Sequence, residues 1–285
     1  MLHSSGATPV DQISKPKLRA PGSQYDANYG NFQTELYEQI RRDAFGEDVG
    51  QNSWLTAPEL DRFLSWLNLS PGKGLLDIAC GAGGPALRIS AVTGCSVTGI
   101  DVHAPAIKTA NALAAERGLT GHAEFRVIDA VQELPFPDDS FNAITCIDAI
   151  NHFPDRSGVT AEWQRVLKPG GRLLFTDPIV VTGPLTNAEV VTRCSSGFYL
   201  FVPVGYDEHV IVRCGMRVVA VEDVTQNTAD VAERRRLARK SRELALREIE
   251  GDHDYDGQQE FLGVASLLAK EGRLCRFAFM VEKPN

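Results

Sequence analysis

Asp77-Ile78-Ala79-Cys80-Gly81-Ala82-Gly83-Gly84-Pro85-Ala86 decides the architecture of this chain. The apolar run Leu75–Cys80 reads as a strand that ends in a glycine turn. Pro85 then suits the first turn of a helix, and the glycines let a ligand lie against the backbone. A strand running through a glycine turn into a helix is the opening unit of a βαβ fold.

Outward from this stretch, short apolar runs alternate with helical patterns, which predicts a parallel sheet. Strands are expected at Leu75–Cys80, Ser96–Val102, Glu124–Ile128, Ala143–Ile147 and Arg172–Asp177. PALRISAVTG, APAIKTANALAAERG and GVTAEWQRVL supply the crossover helices, and LKPGG (167–171) turns the last of them into the fifth strand. Beyond Val180, YDEHVIVRCGM reads as a helix, RVVAVEDVT as a sixth strand and LCRFAFMVEK as a seventh. Upstream, NFQTELYEQIRRDAF and TAPELDRFLSWLNL are amphipathic helices, the second capped by Thr56. The organisation expected is therefore a polar, disordered tail at 1–24, a helical cap at 25–70 and an α/β core at 71–285. Within that core, 181–210 and the mostly charged helical stretch 226–271 are acceptor-site and lid segments.

The 285 residues carry a formal net charge of -8 and a pI near 5.3, which argues against a broad nucleic-acid-binding surface. Six cysteines are far apart with no C-x-x-C pair, the pattern of thiols in a reducing cytoplasm rather than of a zinc site or disulfide framework. The N-terminus lacks the apolar core of a signal peptide, and no run is long enough to span a bilayer.

Gly81, Gly83 and Ala86 fit a G-x-G-x-x-A fingerprint, with Asp101 twenty residues on to take ribose hydroxyls. That pattern alone serves a nicotinamide dinucleotide as well as a methyl donor. Asp77 shifts the balance, because a carboxylate beside the turn suits a methionyl ammonium and opposes a pyrophosphate. Asp129 after the third strand and the LKPGG turn point the same way. From about Gly74 to Asp177 the chain resembles the class I S-adenosylmethionine-dependent methyltransferases, especially the small-molecule branch often called type 11, with four separated motifs in the family's order and spacing.

The resemblance implies an α/β fold with a seven-stranded, mostly parallel Rossmann-like sheet, helices on both faces and the helical lid inserted before the last strand. It implies S-adenosylmethionine as cofactor, S-adenosylhomocysteine as product and a small-molecule acceptor; from the charge, hydropathy and cysteine spacing, no nucleic acid, membrane or metal is expected. Asp77, Ala79, Gly81 and Gly83 would form the glycine-loop site, Asp101 and Val102 would hold the ribose, and Asp129 and Ala130 the adenine. Ile147 and Asp148 would face the sulfonium, and Tyr25, with Tyr29, would close over the methionyl end. Cys80 stands where many members have glycine.

For an oxygen or carbon acceptor a base is also needed. His152 follows the fourth strand, where members of this family often line the acceptor pocket with histidine, and Asp177 closes the fifth strand as its expected partner. The other reading of His152 is a cap on the following loop, since an amine or thiolate needs no base. Trp54, in a GEDVGQNSW loop similar to that of glycine and sarcosine N-methyltransferases, and Phe198 and Tyr199, in an aromatic stretch, are the candidate acceptor contacts. That stretch reads equally as core. The run Glu233–Arg242 reads as a solvated, salt-bridged helix face. The competing functions are a nicotinamide-dependent oxidoreductase and a non-catalytic cofactor-binding subunit.

Overall fold

The computed structural model describes residues 29–195 and 197–285, so the expected tail at 1–24 and Tyr25 lie outside the described residues. Ahead of the sheet lie the helices α1 (Glu35–Phe45) and α2 (Ala57–Leu67). Thr56 caps α2 by accepting the Glu59 N–H. The βαβ half follows as β1 (Gly74–Ile78), α3 (Gly84–Thr93), β2 (Ser96–Asp101), α4 (Ala104–Glu116), β3 (Ala123–Val127), β4 (Phe141–Ile147), α5 (Arg156–Val166) and β5 (Leu167–Val181). The remainder comprises α6 (Asn187–Arg193), β6 (Val202–Pro203), α7 (Tyr206–Arg213), β7 (Arg217–Asp223), α8 (Thr225–Lys240), α9 (Glu243–Glu250), α10 (Asp252–Lys270) and β8 (Leu274–Glu282).

The main sheet runs β3-β2-β1-β4-β5-β8-β7, with the two-residue β6 beside the end of β5. β1 to β5 are parallel, and β8 pairs antiparallel with both β5 and β7. β1 lies in the middle and is covered on both faces, which is why its side chains are apolar apart from Asp77. Leu75 packs with Leu87, Val97, Ile107 and Phe125 on one face, and Leu76 with Ile144, Trp163 and Phe175 on the other. The chain leaves β1 toward β2 and β3 in one direction and returns to β4 and β5 in the other, so a crevice opens where the order reverses.

The LKPGG stretch, expected as a turn, belongs to β5. Gly170 N–H donates to the Lys283 carbonyl and Lys283 N–H to that of Gly171, so the C-terminal strand extends the ladder through it.

The charged stretch 226–271 forms three helices that pack on the N-terminal ones. Ala44, Phe45 and Trp54 share one cluster with Val231, Ala232, Phe261, Leu262 and Ala265. Tyr37 and Ile40 share another with Ala238, Leu246 and Tyr255. Only part of the run Glu233–Arg242 is a solvated face. Arg236 pairs with Glu233, but Arg239 is buried against Glu250 and Arg235 reaches Asn52 and the rings of Phe45 and Trp54.

Candidate active site

Strand register sets the chemistry at the carboxyl edge. Asp77 lies level with Gly99 on β2 and Thr145 on β4, and Ile147 with Thr176 on β5. Past these ends the chain turns sharply at Ala79, Gly81 and Gly83, with φ of 56°, 54° and 74°. The resulting cleft, about 480 Å³, has the size of a small-ligand site. The loop between α1 and α2 forms its far wall through Gly50, Gln51, Asn52 and Ser53.

Asp101 pins the turn from the neighbouring strand. Its Oδ2 accepts the Gly81 N–H and its Oδ1 the His103 N–H, each at 2.9 Å. Asp77 is buried and its Oδ1 accepts the Thr145 hydroxyl at 2.7 Å. Burial, with Asp101 adding, pushes its carboxyl up to about 7 against the opposing Thr145 bond. Asp77, Asp101, Asp129 and Asp148 all line the cleft, and no Lys or Arg is among the described lining residues. Such a site attracts a cation and repels a pyrophosphate. The residues present therefore fit S-adenosylmethionine, whose ammonium and sulfonium are both positive.

The structure brings Asp77, Ala79, Gly81, Asp101, Val102, Asp129, Ala130, Ile147, Asp148, His152 and Phe198 to this one cleft. Tyr29 lines it too, and any side chain at Gly81 would run into its hydroxyl. Gly83 is different. It shapes the turn while facing the core, where a Cβ would sit 2.7 Å from the Phe125 ring.

Asp148 lines the cleft, but its carboxylate turns away to Trp54 N–H, the Thr176 hydroxyl and Arg276. Trp54 is buried between α1, α8 and α10 rather than in the cleft, because its indole fills the apolar seam between the two helical segments. Tyr199 stays outside the lining but supports His152, with ring centroids 4.7 Å apart.

The expected His152–Asp177 pair does not form. Asp177 is wholly buried and accepts from Arg156 Nη1 (2.6 Å) and Ile179 N–H (3.0 Å). A buried carboxylate is held by the nearest cation, and Arg156, which also pairs with Asp207, is that cation. Arg156 also donates to the Leu200 carbonyl and so anchors the aromatic stretch. His152 instead meets the Phe198 carbonyl through Nδ1 at 3.0 Å. A carbonyl only accepts, so Nδ1 carries a proton, and burial holds the imidazole pKa below its ordinary value. The neutral ring therefore keeps its basic lone pair on Nε2.

Asp207 supplies a stability test. Burial and the neighbouring Asp177 push its carboxyl up to about 7. A folded pKa above the unfolded one contributes stability that is complete below pH 4 and is lost as pH rises through 7. Asp207→Asn is expected to flatten the fall in melting temperature between pH 5 and 8, and an unchanged slope would contradict the assignment.

Within the GEDVGQNSW loop it is Gly50–Ser53, and not the expected Trp54, that line the cleft, while the anchor Arg156 and the buried Arg276 had not been expected at all. Neither arginine lies in a sequence motif that would mark it.

A cleft at the switch point of this sheet, acidic where a dinucleotide would need cations, defines an enzyme that binds S-adenosylmethionine. The chain belongs to the S-adenosylmethionine-dependent methyltransferases and acts on small molecules. Residues 76–175 match the family described as a methyltransferase domain. The chain is 31% identical over 220 residues to the 27-O-demethylrifamycin SV methyltransferase of Amycolatopsis mediterranei, covering 76% of this chain and 80% of that protein. It is 30% identical over 227 residues to methyltransferase GfsG of Streptomyces halstedii, covering 73% and 80% respectively. The cyclopropane synthase MmaA2 from Mycobacterium tuberculosis shares the fold, with a TM-score of 0.79 at 19% identity over 94% of this chain and 100% of that one. Among the described residues no helix is long and apolar enough to cross a membrane.

Proposed function

We propose that this enzyme methylates a hydroxyl of a predominantly apolar small molecule, with His152 as general base. The observation that carries this reading is the Nδ1 contact to the Phe198 carbonyl, which fixes the tautomer with Nε2 as proton acceptor. Ala149, Phe153 and Phe198 line the same cleft as that imidazole, and this apolar lining favours an apolar acceptor. The 27-O-demethylrifamycin SV methyltransferase, by its name an O-methyltransferase, supports the same class of acceptor atom.

In this reading Asp77 takes the cofactor's ammonium, Asp101 the ribose hydroxyls, and Asp129 with Ala130 the adenine. Gly81 lets the cofactor approach the backbone, and Ile147 borders its sulfonium. When bound, the cofactor supplies an electrophilic methyl group. His152 holds the acceptor hydroxyl in line and removes its proton as the oxygen attacks. The loop Gly50–Ser53, backed by the paired helical segments, covers the cleft. The acidic composition speaks for a small molecule rather than nucleic acid, and six free thiols suit the cytoplasm.

His152→Gln is expected to lower kcat about 10²- to 10³-fold while cofactor affinity stays within threefold. The wild-type rate should rise with pH through a value below 6.5 and then level off. Unchanged kcat in the variant would rule out the base. Calorimetric titration with S-adenosylhomocysteine and with NAD separates the dinucleotide alternative, and transfer of a labelled methyl group excludes a non-catalytic role.

A further inference from the structure

We propose that Arg276 is a positioning residue for cofactor binding, acting through Asp148 on the wall of the cleft. Arg276 comes from β8, far in sequence from the glycine loop, and its guanidinium is fully buried. Its Nε donates to Asp148 Oδ1 and its Nη1 to Glu59 Oε1, both at 2.6 Å. The Asp148 carboxylate also accepts the Trp54 N–H at 2.8 Å and the Thr176 hydroxyl at 2.7 Å. Glu59 in turn accepts from Asn227 Nδ2 of α8, and the Thr225 hydroxyl accepts the Arg276 N–H at 3.0 Å. One guanidinium thus gathers the cap helix α2, the lid helix α8, the end of β4 and, through Asp148, the chain at Trp54.

Two features make this more than internal packing. Asp148 sits at φ 55°, a conformation that non-glycine residues rarely adopt and that persists only where the surroundings enforce it. The residue also lines the cleft, and the Trp54 N–H it holds follows directly on the cleft-lining segment Gly50–Ser53. Arg276 therefore fixes two parts of the cofactor wall, the β4 end and the cap loop, without touching the cleft itself. Two carboxylates against one guanidinium leave the cluster negative beside a site that takes a cation. Lysine cannot replace arginine here, because a single ammonium lacks the planar fork that spans Asp148 and Glu59.

The inference rests on the cleft holding S-adenosylmethionine, so wild-type protein is titrated first. If it fails to bind S-adenosylhomocysteine, the cofactor assignment falls, whatever Arg276 does. Given that binding, Arg276→Lys is expected to raise the S-adenosylhomocysteine Kd and the cofactor KM about tenfold. kcat at saturating cofactor should stay within threefold, since His152 is not in the network. Thr176→Val, which removes the hydroxyl from Asp148 and leaves every charge in place, should raise the same Kd three- to tenfold and keeps the test open if the lysine variant does not fold. A purely structural role would lower the melting temperature while the folded fraction bound product as tightly as wild type. That pattern in either folded variant overturns the proposal.

Discussion

Affinity for S-adenosylhomocysteine is expected to fall about tenfold for each pH unit below 7, and Asp77→Asn is expected to abolish that slope. Asp77 is buried, its carboxylate's only hydrogen bond among the described residues is from Thr145, and its carboxyl is pushed up to about 7. Below that pH the group is protonated, and an incoming ammonium must displace the proton before it pairs with the carboxylate. The bound state holds the carboxylate ionised, so binding releases up to one proton and strengthens as pH rises toward 8. At pH 8 the asparagine variant loses a charge-assisted hydrogen bond of about 1.5–3 kcal/mol, which corresponds to roughly 10- to 150-fold in Kd. Calorimetry in buffers of different ionisation enthalpy counts the protons directly. Affinity that is flat from pH 5.5 to 8, or an asparagine variant that binds as tightly as wild type, would remove Asp77 from the ammonium site.

Gly84→Ala is expected to impair both folding stability and cofactor binding. A methyl group there would collide with the Val49 carbonyl and lie 2.5 Å from that of Gly50. Both are backbone atoms of a loop that is itself stiff. Gly50 N–H is bound to Asp48 Oδ1 at 2.8 Å, Val49 N–H to Gln51 Oε1 at 2.9 Å, and Arg41 Nε bonds to both Asp48 oxygens. The loop must lift as a unit and take the wall Gly50–Ser53 with it. Alanine gains up to about 1 kcal/mol of helix propensity over glycine, but overpacking of this kind costs about 1–3 kcal/mol, so the collision prevails. Gly263→Ala in α10 is the control, since its nearest neighbour is the flexible Arg236 side chain at 3.7 Å. The control should be neutral or stabilising in a thermal melt with unchanged product affinity. If Gly84→Ala behaves like it, the cap loop does not rest on the glycine turn.

The central sheet and the cofactor floor were readable because their signals are local. A buried parallel strand is an apolar run, a sharp turn needs glycine, and a carboxylate four residues before Gly81 marks the sign of the ligand. Asp77, Gly81 and Asp101 stand out by their spacing, whereas the adenine role expected of Asp129 rests on the family resemblance. Gly83 was drawn into the site by the same motif, although its lack of a side chain serves the Phe125 ring instead. The acceptor side was less legible. Adjacency at the sheet edge predicts a pair between Asp177 and His152, but Arg156, twenty-one residues upstream of Asp177, claims that carboxylate.

By itself, then, the sequence determined a doubly wound sheet with an acidic, glycine-floored crevice, because periodicity, turn chemistry and charge act over a few residues. Only the tertiary structure decided which charges meet. It paired Arg276 with Asp148 and Glu59, Arg156 with Asp177 and Asp207, and His152 with the Phe198 carbonyl. It also laid the cap loop on Gly84 and closed the N-terminal helices against α8 and α10. A buried charge takes whichever partner folding brings within hydrogen-bond reach, and contacts between residues up to 217 positions apart leave no trace in local pattern.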